Sequence, residues 1–230
     1  MKDLKNEINS VIEKALGDRL QEAYVTEPKK FDLRTELLSD STKKAQQQEF
    51  EQFVEALNKV SAELDGADRE NVNNKASDFR SLKLDEVYNM NASFLRALYF
   101  ENISDLNSRI TMDMLSFLRL ERDFGTFDEW QRDFMACCMA SRDGYAITGY
   151  SVFLKRYMNF VIDEEAKNVG IGVLPIIVMD MNVGAYWRDY LDNKGAYVRA
   201  MMKELDWDRI EKRFKRAEQV SKISTSGEGR

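Results

Sequence analysis

Histidine is absent from all 230 residues. Imidazole is the commonest transition-metal ligand and the one side chain that ordinarily titrates between pH 5 and 8, so its absence removes Ser-His-Asp triads, H-E-x-x-H zinc sites and imidazole proton shuttles together. Cysteine is nearly absent too: Cys137 and Cys138 are neighbours, cannot readily bridge each other, and sit in an apolar helical pattern that favours buried thiols over redox or metal roles. With only 2 prolines and 11 glycines against 32% charged residues, the composition predicts an ordered, helix-rich protein. Long apolar runs are also lacking. The most apolar stretch, residues 169–179, is about half the ~20 residues that a membrane-spanning helix needs. The opening MKDLKNEINSVIEKAL has no uninterrupted apolar core and reads as no secretory signal, so synthesis in the cytoplasm and no membrane partner are expected. Positive charge is in deficit. Net charge is -6 and the isoelectric point near 5.0, which disfavours a nucleic-acid partner, since such proteins cluster Lys and Arg against phosphates.

What is present is enough hydrophobic content, 43%, to build a substantial core. Leu4, Ile8, Val11, Ile12, Leu16 and Leu20 recur at three- and four-residue steps and predict an amphipathic helix over residues 4–24. Its stripe packs on its own domain or meets a partner, and these six residues are the candidate partner-binding set. Pro28 ends that helix. A second is predicted over 43–64 from Phe50, Phe53, Val54, Leu57, Val60 and Leu64, with Gln46–Gln48 read as a solvated face. Residues 65–79, polar and without period, form the loop of a helical hairpin. Leu84, Val87, Tyr88, Phe94, Leu95, Leu98, Tyr99, Ile103 and Leu106 mark its second helix. A helix over 110–122 follows, then one opened by a capping box of Thr126 and Glu129 that buries Phe127, Trp130, Phe134 and Cys138. Beyond Gly144 the period shortens to that of strands at 145–153, 157–162 and 174–179, with Met158, Phe160 and Ile162 on one face of the second. A polar turn and one terminal helix over 196–220 complete the chain, its end basic as a helix carboxy-terminus favours, with a tail over 221–230.

Residues 174–214, LPIIVMDMNVGAYWRDYLDNKGAYVRAMMKELDWDRIEKRF, resemble the carboxy-terminal signature of the iron/manganese superoxide dismutases, where a strand ends in D-x-W-E-H-A-Y-Y and a helix closes on W-x-x-(V/I)-x-x-R-(F/Y). FVEALN at 53–58, YNMNASFLRALYFENI at 88–103 and DFGTFDEWQRDF at 123–134 are similar to further landmarks of that family in the same order. The resemblance implies an α+β fold: an amino-terminal helical hairpin domain over 27–108, preceded by the extra helix of 1–26, and a domain of helices around a small three-stranded antiparallel sheet over 109–220. It also implies which chemistry has gone. Of the family's four metal ligands only Asp180 is kept; the three histidines fall on Ala45, Ala97 and Gly184. Glu49 and Phe53 stand for the gateway His and Tyr, Arg96 for the Asn beside the second ligand, and Asn182 and Val183 for the Trp and Glu of W-E-H.

One carboxylate does not fix a redox metal, because affinity and geometry come from ligand number and from the hydrogen bonds behind the ligands. The expectation is therefore no cofactor, no catalytic residue and no enzymatic activity. Asp180 is expected to cap a turn or pair with a cation, Arg96 being one candidate partner, against the alternative of a hard-cation site shared with Glu49 and Glu101. Dismutase-like chains without ligands occur in mitochondrial ribosomes, and related reading frames in large tailed phages. The expected role is a structural subunit of a larger assembly, with the virion preferred because the chain is acidic. Its partners would be other protein subunits, or further copies of itself through a non-standard interface. The alternative is a metal-binding protein or oxidoreductase with a remodelled site around Asp180, Glu49, Glu101 and Tyr186.

Overall fold

The computed structural model describes residues 27–103 and 107–226; the candidate partner-binding residues Leu4 to Leu20 lie outside them. Two compact units divide the chain, one holding residues 51–90 and the other residues 29–50 and those from 91 onward. Among the described residues there are seven helices: α1 Asp40–Asp65, α2 Asp78–Asn102, α3 Leu115–Phe124, α4 Phe127–Ala140, α5 Val183–Tyr190, α6 Lys194–Met201 and α7 Trp207–Ser226. Between α4 and α5 run strands β1 Gly144–Ser151, β2 Arg156–Asp163 and β3 Val173–Asp180. The α+β class expected from the sequence is the class observed.

The smaller unit is the far end of the helical hairpin. Arg69 closes the carboxy-terminus of α1 by donating to the carbonyl of Leu64 at 2.7 Å. Asp68 and Asn73 turn the loop by accepting the amides of Glu70 and Ala76, each at 2.8 Å, the local side-chain bonding that lets these residue types replace helix with turn.

The larger unit contains the core. Strand β1 is central, antiparallel to both neighbours in the order β2-β1-β3, and all eight of its residues are buried. Met158, Phe160 and Ile162 pair with Gly149, Ile147 and Tyr145 and so share one face, though only Ile162 is fully buried, because β2 is an edge strand. Gly144 is required where it stands: its φ is +154°, and a Cβ there would lie 2.0 Å from the Ile162 carbonyl oxygen. Trp130, Phe134 and Cys138 of α4 are buried as expected, while Phe127 is half-buried, stacking on Phe117. The indole of Trp130 donates to Thr148 on β1 at 2.9 Å, and the Thr148 hydroxyl donates to Asn159 on β2 at 2.6 Å, so the aromatic core and sheet are joined by a satisfied polar thread. Arg213 of α7 ties the far side, donating to the carbonyls of Ile176 and Leu98 and pairing with Glu101 at 2.9 Å.

Several expectations are corrected. The terminal helix is two: α6 stops at Met201, and Asp206 starts α7 by accepting the Arg209 amide at 3.0 Å, an N-cap that the continuous apolar spacing concealed. The polar turn after β3 is itself α5, opened by Asp143, whose carboxylate accepts the Val183 amide at 3.0 Å. The helix expected from residue 110 begins at Leu115, where Glu211 of α7 accepts the amides of Leu115 and Ser116. Only half of the capping box forms. Thr126 accepts the Glu129 amide at 3.0 Å, but the Glu129 carboxylate pairs with Arg132 at 2.6 Å. On α2, Leu84, Val87, Tyr88 and Phe94 are exposed; at 3.6 residues per turn, Val87 and Phe94 lie about 120–160° around the helix from Ala92 and Tyr99, which face the core.

Candidate functional site

Four charged side chains from four elements converge in the larger unit. Arg96, on α2, is 1% exposed. Its Nη2 lies 3.1 Å from Glu49 Oε2 of α1, its Nη1 3.9 Å from Glu165 Oε1, and its Nε 3.7 Å from Asp180 Oδ2 at the end of β3. Asp180 and Glu165 are buried as deeply as Arg96, while Glu49 is partly open to solvent. The expected pairing of Asp180 with Arg96 is therefore present, and so is the turn-capping role: Asp180 Oδ1 accepts both the Asn182 amide and its side-chain nitrogen at 2.9 Å.

Glu165 is the residue that sequence reasoning missed. It follows β2 in a turn where Glu164, Glu165 and Asn168 all have positive φ, Glu165 at +60°. A non-glycine residue in the left-handed region costs roughly 1–2 kcal/mol, and here that conformation carries the carboxylate inward. Asn91 holds the turn through the Glu165 carbonyl at 3.0 Å, and Asn182 reaches its carboxylate at 3.3 Å. No periodicity or motif marks such a residue. Gln46 was misread as well: it is buried, and its Nε2 donates to the Ala185 carbonyl at 3.2 Å.

Tyrosines complete the surroundings. The Tyr197 hydroxyl donates to the Asp180 carbonyl at 2.8 Å and lies 3.0 Å from the Tyr99 hydroxyl. Tyr186 packs its ring 5.5 Å from that of Tyr197. Tyr145, fully buried on β1, has its pKa driven well up by burial and then by the Asp180 charge. Burial also pushes Glu165 up to about 7, with Asp180 adding to it and Arg96 opposing. Asp180 is pushed up to about 6 by burial against the pull of Arg96 and the Asn182 hydrogen bonds. One guanidinium thus faces three carboxylates, and burial resists the ionisation of two of them, Glu165 and Asp180. Glu101 does not join them. It pairs with Lys29 at 3.1 Å and Arg213 at 2.9 Å.

Comparison with known proteins places these residues in context. Residues 116–213 match the iron/manganese superoxide dismutases, C-terminal domain. The iron superoxide dismutase of Aquifex pyrophilus is 30% identical over 168 residues, 72% of this chain and 78% of that protein. The iron enzyme of Cupriavidus metallidurans is 29% identical over 163 residues, 70% and 80% of the two chains, and the manganese enzyme of Mycolicibacterium fortuitum is 25% identical over 164 residues, 70% and 77%. These relatives overturn the expectation that the chain is not an enzyme. That expectation was drawn from ligand count alone, and the relatives are superoxide dismutases by name.

The residues nevertheless do not fit the iron or manganese that such relatives imply. The side chains at Ala45, Ala97 and Gly184 offer no donor atom. The guanidinium lies among the carboxylates, whereas a metal would need oxygens at about 2.0–2.2 Å. Among the described residues no three His, Cys, Asp or Glu side chains are grouped to hold a metal ion.

Proposed function

The chain belongs to the iron/manganese superoxide dismutase family, and from that ground we propose that it works as a structural subunit with this fold in a larger protein assembly, a phage virion being the preferred setting. The observation that carries the reading is the closed centre. Arg96 stands within 4 Å of Glu49, Glu165 and Asp180, while the frame around it, sheet and helices alike, is that of the family. Acidic composition favours a protein-facing role over an RNA-facing one. Contact surfaces are assigned to the amphipathic segment 4–24 and to the basic stretch of the last helix that begins at Lys212 to Lys215. Copies that pair do so with neither a carboxylate nor an imidazole at 183 and 184, where Val183 and Gly184 stand.

The test is quantitative mass spectrometry of the native particle together with a superoxide assay on pure protein. A fixed copy number relative to other subunits supports the reading. Recovery wholly as free chain in the soluble fraction overturns it.

A second reading has the relatives' names in its favour: an oxidoreductase or metal-binding protein with a remodelled site around Asp180. Superoxide turnover by pure protein, with stoichiometric iron or manganese on elemental analysis, would select it.

A further inference from the structure

Asp180 and Glu165 are almost wholly buried, and a buried carboxylate needs a compensating positive charge. Among the described residues the cation within 4 Å of these two and of Glu49 is the same one, Arg96. The three carboxylates arrive from α1, from the turn after β2 and from the end of β3, so the guanidinium joins elements that are distant in sequence. It approaches them at 3.1 to 3.9 Å with one nitrogen for each, a looser arrangement than a bidentate pair. The pattern is that of a central cation with carboxylates around it.

We propose that Arg96 is the resident cation of this centre: the fold brings three carboxylates together here, and this chain supplies the compensating positive charge covalently, in place of an ion taken from solution. Intact protein accordingly excludes a metal from the centre. Removal of the side chain leaves a cavity with a negative rim, shaped for a guanidinium-sized cation. This reading is independent of the assembly role, because neither copy number nor location bears on it.

The experiment compares wild-type protein, Arg96→Ala and Arg96→Lys by thermal unfolding, with and without millimolar ethylguanidinium. Sodium chloride at equal ionic strength is the control. Arg96→Ala is expected to lower Tm by roughly 10 °C, the consequence of leaving buried charge unpaired in a chain of this size, and ethylguanidinium should restore several degrees where sodium chloride restores none. Arg96→Lys should retain part of the loss. If Arg96→Ala does not fold, the triple variant Arg96→Met, Glu165→Gln, Asp180→Asn, which removes charge on both sides, should fold where Arg96→Met alone does not. An Arg96→Ala protein as stable as wild type, the absence of guanidinium rescue in a folded one, or a triple variant no better than Arg96→Met overturns the proposal. So does stoichiometric iron or manganese in wild-type protein purified without chelator.

Discussion

At Gly144 the backbone decides which residue is allowed. A methyl group there would strike the Ile162 carbonyl oxygen and would also have to adopt a φ that L-residues avoid. Gly144→Ala is expected to cost about 3 kcal/mol, read by urea unfolding; a loss under about 1 kcal/mol would mean that the start of β1 is softer than described. Legibility at this scale was uneven. The Asp180–Arg96 contact could be anticipated, because Arg96 precedes a vacated ligand position and a buried acid seeks a cation. Glu165 could not, since its inward course depends on a left-handed backbone that leaves no periodic trace. Gln46 was misjudged for a related reason: a run of three glutamines looks solvated, yet the first of them meets the Ala185 carbonyl of α5.

Helix boundaries depend on partners far away in sequence. Glu211 stands on α7 but serves α3, accepting the Ser116 amide at 2.8 Å and the Leu115 amide at 3.2 Å, where the positive end of a helix favours a carboxylate. Burial alone would raise the Glu211 pKa, but those amides and Lys215 outweigh it and hold it below the usual value. Glu218 is held low chiefly by its hydrogen bond to Arg119. For a group with a depressed native pKa, the folded state binds fewer protons than the unfolded one. The stabilisation is complete above the unfolded value near 4.3 and disappears as pH falls through the native one. Glu211→Gln should therefore lower Tm by about 3 °C at pH 7, as expected for roughly 1 kcal/mol, and the gap should close toward pH 3. A gap independent of pH would remove the charge from the explanation. Asp206→Ala is expected to cost about 1 kcal/mol by uncapping α7, with the far-ultraviolet helix signal as the check. Apolar spacing runs through Met201, Leu205 and Ile210 without a break, so the sequence pattern alone could not reveal that the helix stops and restarts.

The whole fold was more legible than its centre. Landmarks in order along the chain gave the hairpin, the linker helix and the sheet, because a fold survives on packing patterns that tolerate exchange among apolar residues. What the centre does depends on a handful of polar groups whose directions only coordinates supply. For the intact protein, dialysis against EDTA is expected to leave Tm unchanged, since a ligand bound only by the native state would otherwise contribute to stability by mass action. A drop of several degrees would point to a bound ion.

The approach of Glu49 to Gly184 sets up a competition for one oxygen. A side chain at 184 would begin 3.5 Å from Glu49 Oε2, an ordinary contact distance, and that same oxygen lies 3.1 Å from the Arg96 guanidinium. A polar group introduced at 184 would therefore share the oxygen that Arg96 already holds, and any bond it gained there would come at the expense of that ion pair.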